Sequence, residues 1–308
     1  MKTPSVIFVL MGSAITQMQS APLVPYQRES HSTQTSLKTV KPPAPVVSTP
    51  ATADDQFNLA RRYLKGDDIT KDEKKAFELM TSAAQQGHVE AQGGLGYFYG
   101  SGIVVQKDEA MAREWMRKGA VMGSAKAQLN LGLLLLNETE SSSVKSEGIQ
   151  WIKESAHQGL VEAISTQGSI LLFGLYDQPV DYNQAYDYLA NAAKQGHPDS
   201  QHLLGMMFEK GLGRPASPAE AETWFRKAAI QAHPTAQGDL ARLLDPSNKE
   251  IARRVEALTW LVSAAGLNDA SSKKILTEIY FKITPAEMAL ATKRAQQITS
   301  AHSSNLEK

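Results

Sequence analysis

The sequence contains no cysteine among its 308 residues. Disulfide bonds, zinc sites built on thiolates, thiol catalysis and lipidation of an N-terminal cysteine are therefore excluded. The sequence also has no excess charge of one sign, because lysine plus arginine and aspartate plus glutamate both number 32. A chain without a basic field lacks the electrostatic footprint of a nucleic-acid-binding protein. We therefore do not expect nucleic acid to be its main partner.

Long apolar runs are also missing. The run Val6–Ile15 follows Lys2 and is interrupted only by Gly12 and Ser13. A bilayer span needs about 20 apolar residues, so this run is too short and is typical of the hydrophobic part of a secretory signal peptide. We predict a signal peptide over residues 1–21, whose cleavage point the sequence leaves open, with a buried core helix as the alternative. The protein is then exported, either to the periplasm or out of the cell, without an integral membrane span after cleavage.

The stretch that follows, residues 22–52, has little of the apolar content of folded sequence. It carries serine, threonine, lysine and six prolines, namely Pro22, Pro25, Pro42, Pro43, Pro45 and Pro50. Such a segment buries too little apolar surface to offset the entropy lost on ordering. We predict a disordered linker, partly in the polyproline II conformation.

From residue 53 onward the chain repeats itself every 36 or 37 residues. Large residues form one ladder, made of Leu79, Trp115, Trp151, Tyr188, Trp224 and Trp260. Leucines, in most units followed by a small residue, form a second ladder of Leu59, Leu95, Leu131, Leu204 and Leu240. A repeat of this length is typical of a stack of identical supersecondary units.

Each unit is predicted to contain two helices. The first carries A-x-x-x-L-G-x-x-[YFL], which places its apolar residues on one helical face, and the small residue lets a neighbouring helix cross closely. The second is expected to begin at capping sequences, Thr70–Glu73 in one unit and Ser217–Glu220 in another. Its tryptophan ladder is expected to form the core between the helices. A glycine or asparagine is expected to end it in the left-handed conformation.

The pattern resembles the Sel-one-like repeat (SLR) family, relatives of the tetratricopeptide (TPR) repeats. The unit that matches best carries Leu95, Gly96, Tyr99, Gly102, Asp108, Ala112, Trp115, Ala120 and Gly123. About six units cover residues 53–271, and the third departs most, because its loop at 137–148 lacks glycines until Gly148. After a seventh first helix, the sequence from Thr284 to Glu287 begins a helix with the polar outer face of a terminal cap.

The resemblance implies an all-α fold, a right-handed α-solenoid of antiparallel helix pairs. We predict that the solenoid covers residues 53–283, that a C-terminal capping helix covers residues 284–303, and that residues 304–308 form a disordered tail.

Catalytic motifs are nearly absent, since no H-E-x-x-H, G-x-S-x-G, P-loop or complete G-x-G-x-x-G sequence occurs. The stretch KQGHPDSQHLLG brings His197 and His202 to a spacing that a metal ion could bridge. The repeat separates them, because His197 occupies a turn position that Ser124, Leu160 and Asp269 occupy in other units. We therefore predict no catalytic residue, no metal site and no cofactor.

In tetratricopeptide-like arrays the first helices line the concave groove, so the resemblance implies a binding surface there. Apolar, charged and methionine side chains share this face, which suits a peptide or protein partner better than a small substrate. Alternatively, these residues simply solvate the inner face. The candidate partner-binding residues are Arg61, Tyr97, Leu133, His202, Met206 and Arg242.

The sequence thus predicts a non-enzymatic, exported bacterial scaffold or adaptor that binds a protein or peptide in the groove of a repeat solenoid. An envelope regulator and a host-contact factor are two versions of this role, which the resemblance implies. The alternative is a protein that binds or modifies a cell-wall polymer such as peptidoglycan or another glycan.

Overall fold

The computed structural model describes residues 52–66, 68–138 and 141–306. The predicted signal peptide and almost all of the predicted linker lie outside these residues. The described part of the chain contains fourteen α-helices, one short 3₁₀ helix and no β-strand. Backbone contacts divide the chain into two compact units, residues 1–163 and residues 164–308.

The N-terminal unit contains six complete helices and the start of a seventh. They are α1 (Ala53–Lys65), α2 (Glu73–Gln85), α3 (Val89–Ser101), α4 (Glu109–Val121), α5 (Ala125–Glu138), α6 (Ser142–His157) and the beginning of α7 (Val161–Phe173).

The C-terminal unit contains the rest of α7 and seven further helices. They are α8 (Tyr182–Lys194), α9 (Pro198–Lys210), α10 (Pro218–Ile230), α11 (Pro234–Leu244), α12 (Ile251–Gly266), α13 (Ala270–Ile279), the 3₁₀ helix (Tyr280–Lys282) and α14 (Pro285–Leu306).

Helices that follow each other in sequence pack against each other. In the N-terminal unit α1 packs on α2, α3 on α4 and α5 on α6, and α2 also contacts α3 while α4 contacts α5. The C-terminal unit repeats this arrangement with α9 on α10 and α11 on α12. The predicted fold class, an all-α stack of helix pairs, is confirmed.

The ends of the second helices follow the predicted turn chemistry. After each of them the chain takes a positive φ, for example 95° at Gly196. Where the repeat replaces glycine, Ala232 and Asn268 keep this conformation with φ of 61° and 68°. The left-handed ending is therefore a property of the repeat position.

The capping prediction is right for one second helix and wrong for another. Ser217 caps α10, because its hydroxyl accepts a hydrogen bond from the Glu220 backbone N–H at 3.3 Å. Helix α2 is capped by Asp72, whose carboxylate accepts from the Lys75 N–H at 3.0 Å, and not by Thr70. Aspartate two residues later in the chain competes successfully because α2 begins only at Glu73.

The tryptophan ladder lies beside the core, which corrects the expectation that it forms the core. Trp115, Trp151 and Trp224 are half-buried, and only the fourth, Trp260, is buried. The residue after each ladder position is buried in every unit. These residues are Met80, Met116, Ile152, Leu189, Phe225 and Leu261, all with 0% exposure.

The small residue of the first helix explains why this next position is the buried one. A Cβ atom added at Gly96 would lie 2.6 Å from Met116 Cγ, and one added at Gly205 would lie 2.6 Å from Phe225 Cδ1. The large side chain of the second helix therefore fills the space that the small residue leaves open. The predicted role of the small residue in close helix crossing is borne out by these contacts.

Glutamine side chains fasten successive helices to each other. Gln128 Nε2 donates to the Ala120 carbonyl at 3.1 Å, and Gln158 Nε2 donates to Gln128 Oε1 at 2.6 Å. The same relay recurs in the C-terminal unit, where Gln201 donates to a backbone carbonyl and accepts from Gln231 at 2.8 Å. Each relay thus joins the first helix to the second helices on both sides of it.

The relay is interrupted in two units. The buried Oε1 atoms of Gln92 and Gln237 have no hydrogen-bond partner within the described part of the chain. The position thirty residues later, which supplies the donor glutamine in the complete relays, is occupied by Met122 and Leu267. A buried acceptor without a donor carries a desolvation cost.

Replacing Met122 with glutamine should complete the relay in the N-terminal unit. The new amide would donate to Gln92 Oε1, and we expect the free energy of unfolding to rise by about 1 kcal/mol. Met122 is 65% exposed, so little packing is lost. Chemical denaturation of the full chain measures the change. Met122→Glu is the matched control, because a carboxylate of the same length cannot donate, and an equal gain in that variant would contradict the explanation.

The C-terminal helix α14 is fixed to the stack at its first turn. The Thr284 backbone N–H donates to Glu287 Oε2 at 2.9 Å, and Arg254 Nε on α12 donates to Glu287 Oε1 at 2.8 Å. These two interactions lower the pKa of Glu287 to about 2. Ala291 and Ala295 of α14 are buried, and the helix packs against α12. It begins at Pro285 and continues to Leu306, past the predicted end at residue 303.

Candidate partner-binding surface

The six candidate residues lie on first helices, and they differ sharply in exposure. Three of them, Leu133, His202 and Met206, are only 5%, 7% and 4% exposed. Side chains this deeply packed support the fold and offer almost no area to a partner. The accessible candidates are Arg61 and Tyr97 in the N-terminal unit and Arg242 in the C-terminal unit, and we refer to these positions, each taken within its own unit, as the first-helix surface.

In the N-terminal unit, Arg61 packs on an aromatic ring. The Arg61 guanidinium carbon lies 5.6 Å from the centre of the Phe57 ring. The Phe57 ring in turn lies 4.3 Å from the imidazole of His88, centre to centre. Because Phe57 is itself buried, the guanidinium rests on a fixed aromatic support.

The other accessible candidate in the N-terminal unit is the aromatic residue Tyr97. Its ring packs beside Phe98, with centres 6.3 Å apart, and against the core of the helix pairs. Burial, and after it the negative charge of Glu73, raise the pKa of the Tyr97 hydroxyl. The hydroxyl therefore stays neutral at physiological pH and can act both as a donor and as an acceptor.

The histidines of the repeat turns have a structural role that the sequence reasoning missed. The Nδ1 atoms of His88 and His233 each accept from the backbone N–H three residues on, at 3.1 Å. His197 does the same at 3.3 Å, and Ser124 and Asp269 cap the equivalent helices through their oxygens. The column is thus an N-cap position. Its serine and aspartate, two of the preferred N-cap residues, were the available signal.

The same capping side chains also contact the preceding repeat. An imidazole that accepts through Nδ1 carries its proton on Nε2 when neutral. His233 Nε2 lies 3.0 Å from Asp199 Oδ1, and the Ser124 hydroxyl donates to Glu90 at 3.0 Å. The hydrogen bond from His233 lowers the pKa of Asp199. Acidic residues at the start of first helices therefore take part in contacts between neighbouring repeats.

In the C-terminal unit, the contact between His233 and Asp199 continues into a series of polar contacts that ends at Arg242. The rings of His233 and His202 stack with centres 4.8 Å apart, and His202 Nε2 lies 2.8 Å from Asp239 Oδ2. Arg242 then contacts Asp239 at 3.4 Å and Glu209 at 2.7 Å. Two carboxylates hold this guanidinium in place while its side chain stays 50% exposed.

The charge state of Asp239 follows from its contacts. Burial alone would raise the pKa of Asp239, but the hydrogen bond with His202 and the charge of Arg242 bring it below its usual value. Asp239 is therefore ionised at physiological pH and can hold both neighbours. His202, predicted as a contact residue, hydrogen-bonds to Asp239 and through it positions Arg242.

A histidine beside an aspartate is one component of nucleophilic catalysis, and in this site the histidine, His202, is 7% exposed. Within the residues that the structure describes, no three histidine, cysteine, aspartate or glutamate side chains are placed to hold a metal ion. The geometry is that of a fixed surface with cationic and aromatic contact points.

The sequence model of the Sel1 repeat family matches residues 53–88, 89–124, 125–160, 168–197 and 198–233. These matches follow the observed helix pairs and together cover more than half of the chain. The chain belongs to the Sel1 repeat family. Members of this family are typically protein-interaction scaffolds. The helix pair α11 and α12 extends the stack beyond the last matched repeat.

The solved structures similar to this Sel1 repeat protein include the following two. One is c5321, a protective antigen present in uropathogenic Escherichia coli strains that displays an SLR fold, with 27% sequence identity and a TM-score of 0.70. The similarity covers 80% of this chain and 53% of that one, so this chain spans about half of its length. The other is a Sel1 repeat protein from Oxalobacter formigenes, with 26% identity, a TM-score of 0.59, and coverage of 69% and 85%.

No curated protein matches this Sel1 repeat protein in sequence. Among the described residues, no helix combines the length and apolar character needed to cross a bilayer.

Proposed function

We propose that this Sel1 repeat protein is a non-enzymatic bacterial adaptor that binds a protein or peptide on its first-helix surface. The observation that carries the proposal is the fixed presentation of Arg61, Tyr97 and Arg242 over deeply buried neighbours. Arginine and tyrosine are among the residue types that contribute most of the binding energy in protein interfaces. Because packing and ion pairs already order these side chains, binding would cost little further conformational entropy.

The arrangement in the C-terminal unit favours a partner with an acidic or hydrogen-bond-accepting group at Arg242. The two carboxylates, at 3.4 Å and 2.7 Å, both contact Nη2 of the guanidinium, and the side chain is 50% exposed, so other donors of this fork of five are available to a partner. In the N-terminal unit, the neutral hydroxyl of Tyr97 complements a polar backbone group of a peptide. We infer that each unit separately offers a contact point for a peptide, a backbone group at Tyr97 and an acidic side chain at Arg242.

The proposal includes export of the protein. The run Val6–Ile15 with Lys2 before it supports a signal peptide, and the similarity to a protective antigen of Escherichia coli supports a role in the cell envelope or outside the cell. A periplasmic regulator and a secreted host-contact factor both agree with this location.

A comparison of variants with one measured partner tests the binding surface. Tyr97→Ala and Arg242→Ala should each weaken binding by about 1–3 kcal/mol, the range for contact residues that carry energy. Tyr182→Ala and Arg113→Ala, matched changes on second helices, should leave binding unchanged. Tyr97→Ala also removes ring packing and Arg242→Ala removes the ion pairs with Glu209 and Asp239, so the thermal unfolding midpoint of each variant is measured and binding is titrated at a temperature where each is fully folded.

Quantitative recovery of the partner from envelope extract, followed by titration with the purified partner, gives the measurement. Equal affinity for the first-helix variants and for wild-type protein would contradict the proposal. Sedimentation of the protein with purified cell-wall sacculi, unaffected by Tyr97→Ala and Arg242→Ala, would instead support the cell-wall alternative.

A further inference from the structure

Two aromatic rings are exposed near the C-terminal end of the described chain. Phe281 is 94% exposed and Tyr280 is 62% exposed, and both belong to the 3₁₀ helix that joins α13 to α14. Their rings meet edge to face with centres 5.7 Å apart. Because contact between apolar rings and water is unfavourable, a surface that covers these rings would stabilise this end of the molecule.

The packing of α14 explains why these rings are uncovered. In the pairs α9–α10 and α11–α12 the second helix packs on its own first helix, whereas α14 packs mainly on α12. Of the ten residues of α13, only Ser272 is buried, while α9 buries seven residues and α11 buries five. The last first helix and the 3₁₀ helix at its end therefore remain open to solvent.

The charged side chains beside the exposed rings are basic. Both rings line a groove of about 660 Å³ whose lining is mainly apolar, and Lys293 of α14 is the one charged residue in that lining. Lys282 follows Phe281 directly in the 3₁₀ helix and is also exposed. Leu290, 42% exposed, lies one helical turn before Lys293 and therefore on the same side of α14. Apolar and cationic side chains thus share this surface.

The positive charge at this end is not balanced by acidic side chains. Residues 270–306 contain only two acidic residues, Glu278 and Glu287, although the whole chain has 32 of each sign. Glu287 is buried and bound to Arg254, and Glu278 lies 3.9 Å from Lys274. The basic residues of the same range are Lys273, Lys274, Lys282, Lys293 and Arg294.

This combination of side chains discriminates between the possible occupants of the surface. Lysine is depleted from protein–protein interfaces, whereas surfaces that lie on a bilayer combine phenylalanine and leucine with lysine and arginine. A lysine can place its apolar stem on such a surface and keep its ammonium group at the lipid headgroups. A ring as exposed as that of Phe281 can also enter fluid lipid without a preformed pocket.

We propose that this C-terminal surface binds a bilayer that contains anionic phospholipids. Phe281 inserts at the boundary between headgroups and acyl chains, and Lys282 and Lys293 contact the lipid phosphates. Two rings and a few basic side chains give weak and reversible binding, which falls as the ionic strength rises. The contact is peripheral and involves residues different from those of the first-helix surface, so the proposal does not depend on that surface.

A label at position 281 tests the insertion in the full chain, whose sequence has no other cysteine to react. A polarity-sensitive fluorophore on Phe281→Cys should shift its emission to shorter wavelength with vesicles of equal parts phosphatidylglycerol and phosphatidylcholine. Ile230→Cys is the matched control, because Ile230 is 58% exposed but lies on α10, and its label should not respond. No shift at position 281, or an equal shift at position 230, would overturn the proposal.

Removing the two lysines tests whether charge selects the bilayer. In the labelled Phe281→Cys protein, Lys282→Gln together with Lys293→Gln should weaken binding to the same vesicles about tenfold at low ionic strength. Added salt should reduce this difference. The control pair Lys74→Gln and Lys249→Gln removes equal charge at exposed positions elsewhere and should leave binding unchanged.

Three results of these titrations would contradict an anionic bilayer as the occupant. The first is equal binding to vesicles of phosphatidylcholine alone, and the second is an equal loss of binding in both lysine pairs. The third is an emission shift at position 281 that rises with protein concentration without vesicles, which would instead indicate a second copy of the chain.

Discussion

Replacing Phe225 with alanine should lower the free energy of unfolding by about 3–5 kcal/mol, the usual cost of removing a fully buried aromatic side chain. Phe225 has 0% exposure and fills the space over Gly205, and its ring also lies 5.7 Å from that of His202, centre to centre. Removing it leaves a cavity between α9 and α10. Chemical denaturation of the full chain measures the loss.

The adjacent tryptophan provides the control for this prediction. Trp224 is half-buried, and Lys227 Nζ lies 3.8 Å from its ring centre on the outer side. Trp224→Ala should therefore cost only about 1–2 kcal/mol, the range of an ordinary destabilising change. If Trp224→Ala proved more damaging than Phe225→Ala, the core would lie on the tryptophan ladder after all.

Replacing Gly205 with leucine should destabilise the protein by about 3 kcal/mol, because an added side chain overpacks a well-packed contact. The nearest atoms to a new Cβ at Gly205 all belong to the Phe225 ring, at 2.6, 2.8 and 3.1 Å. Gly266 is the matched control, since it is also helical but has no heavy atom within 4 Å of a new Cβ. Gly266→Leu should be neutral or slightly stabilising, because leucine favours the helix.

The double variant Gly205→Leu/Phe225→Ala tests whether these two positions share one space. The leucine would enter the volume that the phenyl ring vacates. The loss in the double variant should then be smaller than the sum of the single losses by about 1–3 kcal/mol, as for residues in direct contact. Additive losses would show that the small residue and the large one act independently.

Much of the fold could be predicted from the sequence because a repeat of 36 residues indicates a stack of similar helix pairs. The core was misplaced by one residue for a physical reason. The ladder at Trp115 and Trp224 is visible because the same residue type recurs, whereas the buried column varies between methionine, isoleucine, leucine and phenylalanine. Packing requires only a large apolar side chain at this buried position, so different residue types occupy it in different repeats.

The candidate surface was predicted less completely. Helical position places Leu133 and Met206 on first helices, but their burial depends on what the neighbouring elements cover, which spacing alone does not give. The capping role of His233 was obscured because histidine is an uncommon N-cap, although Ser124 and Asp269 in the same column indicated it. The chain from His202 to Arg242 joins residues of two repeats, Asp239 among them, and none of its contacts is encoded in the repeat pattern.

We propose that the first-helix surface, and not the second helices, contacts the partner. Site-specific photo-crosslinking in living cells tests it most directly, with a photoreactive amino acid placed in turn at positions 97, 242, 113 and 182. We expect a discrete protein adduct from positions 97 and 242 and none from positions 113 and 182. Adducts from positions 113 and 182 alone, or equally from all four positions, would contradict it.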